Sequence, residues 1–190
     1  MDWNSRYAEN DTPWDKGGAH PVLRDMLTRG VLRGRVLVPG CGTGHDVREL
    51  SRRGLSVTGL DIAPLALARA RDYDKIADET YQLGDFFALA SGAREPFDGL
   101  FEHTCFCAID PARRADYVWS AAAAVRPGGR MLAVFFTDPD NGGEGPPFGC
   151  TREELDGLFG ADFRLLEEHR EIPTFPERHG RELLRIYERV

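Results

Sequence analysis

Apolar residues along this chain fall into short runs, separated by segments of helical period and by glycine turns. Arg35 to Val38 is the first run, and Gly40, Gly42 and Gly44 follow it at alternating positions. Asp46 opens a helical segment, Val47 to Arg53, and a second run, Leu55 to Leu60, ends on Asp61. Thr80 to Leu83, Phe97 to Phe101, Arg130 to Phe136, Phe163 to Glu171 and Leu183 to Tyr187 read as five further strands. The Arg130 to Phe136 run is continuous rather than alternating, as a strand buried on both faces should be. Helices are expected over Val22 to Leu32, where Val22, Leu23, Met26, Leu27 and Val31 keep helical spacing. Others are expected over Leu65 to Arg71 behind Pro64, and from Pro111 to about Val125, with Pro127-Gly128-Gly129 as the break. Thr151 with Glu154 three residues on is a capping box for one more. Residues 1 to 20 read as irregular. Phe86 and Phe87 read as strand neighbours that face opposite sides, one toward a ligand and one toward the core.

Alternating strands and helices imply a parallel sheet covered on both faces. The segment between the last two strands, Ile172 to Arg181, is short for a parallel crossover, so the final strand is expected to run antiparallel. The pattern is α/β, with seven strands, one of them reversed. At 190 residues the chain is one domain.

In such a sheet, ligands sit at the carboxyl ends of the strands. Glycines there let the backbone approach a ligand closely. A carboxylate about 20 residues beyond the first glycine can accept hydrogen bonds from ribose hydroxyls. The dinucleotide fingerprint wants glycine at its sixth position, where this chain has His45. That argues against a nicotinamide or flavin cofactor, although a nicotinamide oxidoreductase stays open as an alternative. An ordinary tight strand-to-helix turn is the bland alternative. The G-x-G-x-G form with Asp61 resembles S-adenosylmethionine-dependent methyltransferases.

Charge narrows the partners. The formal net charge is −7, which disfavours nucleic acid, since that needs a basic footprint. No apolar run approaches membrane-spanning length, and the amino terminus lacks the apolar core of a signal peptide. A cytoplasmic address is therefore expected, without membrane association. Cys41, Cys105, Cys107 and Cys150 then read as free thiols. Cys105 and Cys107 beside His103 offer too few ligands for a metal site, and no metal is expected.

Longer stretches carry a sharper resemblance. Trp3, then Thr12-Pro13-Trp14-Asp15-Lys16-Gly17 and His20-Pro21-Val22-Leu23, are similar to the thiopurine and halide/thiol methyltransferase family. So are Leu37-Val38-Pro39-Gly40-Cys41-Gly42-Thr43-Gly44-His45-Asp46 and Gly84-Asp85-Phe86-Phe87. Phe106-Cys107-Ala108-Ile109-Asp110-Pro111 with Arg114, and Gly145-Pro146-Pro147-Phe148, resemble its halide/thiocyanate branch. The resemblance implies a Rossmann-like class I methyltransferase domain over 1–190, with 1–34 as an amino-terminal lid. It implies S-adenosyl-L-methionine as cofactor and S-adenosyl-L-homocysteine as product. Cofactor contacts carried over are Trp3 and Trp14 as an aromatic lid, Gly40, Cys41 and Gly42 around the carboxypropyl arm, Asp61 and Ile62 at the ribose, and Asp85 and Phe86 at the adenine. An aromatic face beside a sulfonium is physically apt, because the ring quadrupole attracts a cation.

His103 stands where relatives often have tyrosine or arginine, and Glu102 where aspartate is expected. His103 is carried both as a cofactor contact and as the one candidate base, with Asp110 as its conceivable partner. Phe106 and Phe148 are expected as substrate-side walls. A soft nucleophile such as a thiol, thiopurine-like sulfur, thiocyanate or halide needs no general base, whereas a hydroxyl usually does. The expected partner is thus a small-molecule acceptor, with the chain a monomer or homodimer. Methylation of oxygen or nitrogen in a small metabolite, or cofactor binding without turnover, are the alternatives.

Overall fold

The computed structural model describes residues 1–91 and 95–190. Its strands are β1 (Arg35–Pro39), β2 (Ser56–Asp61), β3 (Thr80–Leu83), β4 (Phe97–His103), β5 (Val125–Phe136), β6 (Phe163–His169) and β7 (Glu182–Arg189). They form one sheet in the order β3-β2-β1-β4-β5-β7-β6. Strands β1 to β5 pair in parallel, and β7 runs antiparallel to both neighbours. The reversed strand is the one expected.

The helices are α1 (Trp3–Ala8), α2 (Leu23–Thr28), α3 (His45–Arg52), α4 (Pro64–Arg71), α5 (Arg114–Ala124) and α6 (Arg152–Phe159). Side-chain alternation sorts the core into two layers. Leu37, Met131, Ala133, Phe135 and Leu183 pack on one face with Tyr117, Ala121, Leu155 and Phe159 from α5 and α6. Val36, Val38, Leu132, Val134 and Leu184 point to the other, against Leu23 and Met26 of α2 and Val47 and Leu50 of α3. Both faces of the central strands are thus dry, which is why their sequences carry no polar alternation. Among the described residues no helix is long and apolar enough to cross a membrane.

Four local expectations are corrected. The amino-terminal stretch holds a helix, α1, whose amide at Ser5 donates to the Asp2 side chain at its N-cap. The Val22–Leu32 helix is only six residues long, because Gly30 turns left-handed at φ 66° and lets the chain leave the helix. Phe86 and Phe87 lie in a 3-10 segment, Phe86–Ser91, so strand alternation does not divide them. The expected break at Pro127-Gly128-Gly129 instead appears inside β5, as an irregularity where the register against β4 shifts between Phe97 and Gly99.

Candidate active site

Between β1 and β4 the strand order reverses, and that is where open α/β sheets hold their ligands. The turn after β1 and the turn after β4 face each other there: a Cβ built on Gly40 would lie 3.0 Å from Cys105 Sγ. Gly44, at φ 77°, ends the glycine turn and begins α3, and a Cβ on it would lie 2.6 Å from the Tyr81 ring. Only glycine fits both the left-handed backbone and that space.

A cavity of about 690 Å³ opens above these turns. Trp3, Trp14, Gly40, Asp61, Ile62, Asp85 and Phe86 line it, so seven of the sequence-selected positions meet in one place. Cys41, Gly42 and His103 lie beside it, around a smaller cleft shared with Gly40, Trp14, Asp15, Lys16 and Asp46. Asp61 sits at the tip of β2. Its Oδ2 accepts the Gly42 amide and its Oδ1 the Ala63 amide, each at 2.8 Å. Burial pushes its carboxyl above the usual range, and those amides offset the push only in part.

The lid is built on α1. Trp3 and Trp14 meet edge to face, with centroids 5.3 Å apart. The Trp14 indole N–H donates to the Tyr7 hydroxyl at 3.1 Å. Tyr7 itself packs with Ala63, the N-cap of α4, and with Ala66 within it, which anchors the two indoles to the sheet's own helical layer.

His103 is not paired with Asp110. Its Nδ1 lies 2.8 Å from Asp46 Oδ2, while Asp110 accepts from the Ala112 amide as the cap of the next turn. Asp46 also accepts the His20 amide at 2.7 Å. Burial alone would raise Asp46, but the His103 imidazole and these hydrogen bonds hold its carboxyl below the usual range. Behind this pair, His20 Nε2 meets Glu182 at 3.0 Å and Arg178 donates to Glu182 at 3.1 Å. Glu182 is brought to about 2, where hydrogen bonds from His20 and Thr174 outweigh its burial.

His20, His103 and Glu182 offer three ligand-type atoms within 4.8 Å of one another. The Val22 amide donates to His20 Nδ1, which leaves the ring proton on Nε2, and the Arg178 guanidinium faces His103 Nε2. A cation there would meet a proton and a positive charge, so the cluster is organised as a hydrogen-bond network.

The two expected phenylalanine walls lie elsewhere. Phe106 is 1% exposed and packs among Tyr117, Phe135 and Phe159, because the turn after β4 points it down into the core. Phe148 backs the turn at Gly145, and its amide bonds to the Cys107 carbonyl. The wall is made instead by Cys107, Ala108 and Ile109 on one side and Pro139, Pro146 and Pro147 on the other. Arg113, Arg178 and Arg181 complete it. Arg178 and Arg181 come from the link between β6 and β7, which in sequence is only a short polar connection. Cys105 and Cys107 occupy the cavity floor as thiols kept protonated by burial, Cys107 being pushed up to about 12.

A sequence model of the thiopurine S-methyltransferase family matches residues 1–189. Thiocyanate methyltransferase 1 of Arabidopsis thaliana is 31% identical over 99% of this chain and 84% of its own. Thiopurine S-methyltransferase of Photobacterium profundum is 27% identical over 93% of this chain and 90% of its own. Among solved structures, the Burkholderia thailandensis 1,6-didemethyltoxoflavin-N1-methyltransferase, with 1,6-didemethyltoxoflavin and S-adenosylhomocysteine bound, superposes with a TM-score of 0.76. Its identity is 20%, over 100% of this chain and 86% of its own, a likeness of fold.

The cleft suits S-adenosylmethionine. Asp61 presents an amide-bound carboxylate at the tip of β2, where the cavity opens. Phe86 and Ile62 offer apolar groups on the same cavity as Asp85, and the two indoles line it with them. Match, relatives and cleft lead to one conclusion: the chain belongs to the thiopurine S-methyltransferase family and is an S-adenosylmethionine-dependent methyltransferase.

Proposed function

We propose that the acceptor is a small soft anion, a thiolate, thiocyanate or halide, bound at the Arg113, Arg178 and Arg181 end of the cavity. One observation carries this reading: Arg113, Arg178 and Arg181 line the cavity, and among the described residues that line it there is no imidazole. In this reading Asp61 and Phe86 hold the adenosine, and the guanidinium groups receive the acceptor on the sulfonium side. An acceptor that arrives as an anion needs attraction and alignment, not deprotonation. The names of the relatives, thiocyanate and thiopurine S-methyltransferases, point the same way.

Bound S-adenosylmethionine supplies an activated methyl group. The chain's residues hold the acceptor in line and shut water out under Trp3 and Trp14. Orientation of this kind lowers barriers by roughly 7–11 kcal/mol. Arg178, backed by Glu182, keeps a fixed position, so little reorganisation accompanies binding. The site is proposed to work in the cytoplasm, where its four free cysteines stay reduced.

The test is a product-detecting screen with labelled cofactor. Thiocyanate, iodide, bisulfide and aromatic thiols should be methylated with higher kcat/KM than catechols or amines. With thiocyanate the rate should be flat from pH 6 to 9, because the nucleophile is ionised throughout. With thiols it should climb through the thiol's own pKa. A catechol or amine outrunning every soft anion would overturn the reading, and would direct attention to His103 and Asp46 as a base and its partner.

A further inference from the structure

Asp15 is the point where the lid meets the glycine turn. Its Oδ2 accepts the Thr43 hydroxyl at 2.7 Å. Its Oδ1 accepts the Gly17 amide at 2.9 Å and lies 3.2 Å from His45 Nε2. The hydrogen bond from His45 is the leading reason its carboxyl lies below the usual range; burial opposes it, and Thr43 and Gly17 help. On the other side of the imidazole, Arg48 Nη2 lies 3.1 Å from His45 Nδ1. A guanidinium only donates. His45 Nδ1 must accept, so the ring's proton sits on Nε2 and faces Asp15. Arg48 is itself 4% exposed, bonded to the Thr43 carbonyl at 2.8 Å and stacked 3.9 Å over the Tyr73 ring.

We propose that His45 is a positioning residue that latches the aromatic lid over the amino-acid end of the cofactor, as the middle link of Arg48, His45 and Asp15. Trp14 is bonded in sequence to Asp15 and lines both the large cavity and the small cleft. The Trp14 indole N–H is held by the Tyr7 hydroxyl on the α1 side, and Asp15 fixes the backbone beside it on the glycine-turn side. The remaining tethers do not substitute for this one. Lys16 and Glu177 pair at 2.7 Å, but their side chains are 22% and 52% exposed, and such pairs contribute roughly 0–1 kcal/mol. Arg69 binds Tyr7 and Asn10, which secures α1 and not the stretch that follows it. The latch also gives a physical reason for an imidazole at the position where the dinucleotide fingerprint has glycine.

The inference rests on the cofactor and not on the acceptor, so its test uses S-adenosylhomocysteine binding to the full chain and stands apart from the acceptor screen. His45→Ala and Asp15→Ala should each weaken S-adenosylhomocysteine binding about tenfold, the scale of one charge-assisted hydrogen bond, through faster dissociation. The Gly17 amide should exchange faster with solvent while amides of β1 and β4 keep their protection. KM for the cofactor should rise more than kcat falls. His45→Gln, whose amide can accept from Arg48 and donate to Asp15, should restore both affinity and Gly17 protection. The double Ala variant should be no worse than either single one. Unchanged dissociation and Gly17 exchange in both Ala variants would overturn the proposal. So would a Gln variant as impaired as the Ala variant.

Discussion

Asp61 Oδ2 accepts the Gly42 amide at 2.8 Å, which ties the tip of β2 to the glycine turn that follows β1. One carboxylate therefore shapes the glycine turn and lines the cavity at the same time. Asp61→Ala should raise the dissociation constant for S-adenosylhomocysteine by well over tenfold, since it removes charge-assisted bonds of roughly 1.5–3 kcal/mol each. Asp61→Asn keeps one carbonyl oxygen and should fall between the two. Calorimetric titration reads the result, and an unchanged constant in the Ala variant would remove Asp61 from the site.

Gly44 and Gly54 separate backbone strain from crowding. Both have positive φ, 77° and 82°, but a Cβ on Gly54 meets nothing within 4 Å whereas one on Gly44 meets Tyr81 at 2.6 Å. Gly54→Ala should cost about 1–2 kcal/mol in urea unfolding, the left-handed penalty alone. Gly44→Ala should cost more than that and weaken cofactor binding as well, because Tyr81 or the turn must move. Equal losses in the two variants would show that Tyr81 gives way freely.

Glu102 supplies a pH signature. It is 1% exposed and accepts the Phe106 amide and the Tyr117 hydroxyl. Burial pushes it up to about 7, against its ordinary value of 4.5. The folded chain keeps this proton between those values while the unfolded chain has lost it. Its contribution to stability is therefore full below pH 4.5 and falls as pH rises to 7, by about 3 kcal/mol. His20 works in the opposite sense: burial lowers its pKa, so acidification below its ordinary 6.5 favours the unfolded chain. The difference between wild type and Glu102→Gln isolates the first effect. In urea titrations the variant's relative stability should rise from pH 4.5 to 7 and then level off.

The chain has three tryptophans, and their placement makes binding visible. Trp119 is 67% exposed on α5, far from the lid in role, whereas Trp3 and Trp14 line the cavity. Trp119→Phe should keep the full emission change on adding S-adenosylhomocysteine. Trp14→Phe should lose most of it. A change that survives Trp14→Phe intact would mean that the ligand does not sit beneath that indole.

Sequence alone made the sheet and the cradle legible because both are local. Strand, glycine turn, helix and acid occupy one continuous stretch from Arg35 to Asp61, and tertiary contacts only confirm what that stretch already favours. The arginine lining of the cavity was hidden because it is assembled from afar. Arg178 owes its burial to Glu182 and the neighbouring His103, and nothing in Pro176-Glu177-Arg178 by itself says that the guanidinium is indoors. Phe106 misled for the converse reason: its neighbours Cys107 to Ile109 do face the cavity, and a one-residue step in a 3-10 turn sends its ring to the core. Helix α1 escaped notice because Trp, Asn, Ser and Tyr are indifferent helix formers, held in place by the Asp2 cap and by α4.

The reversal of β7 has a practical corollary for anyone who would shorten or split this enzyme. Because that strand runs backward, its first residue, Glu182, arrives beside His20 and His103, so the carboxyl-terminal hairpin furnishes a buried prop behind the cleft as well as the sheet edge. Trimming the tail would strip a working part, not a decoration. A two-fragment version is better cut between Asp74 and Lys75, in the exposed link that joins α4 to β3, which leaves Tyr73 on Arg48 and lines neither cavity.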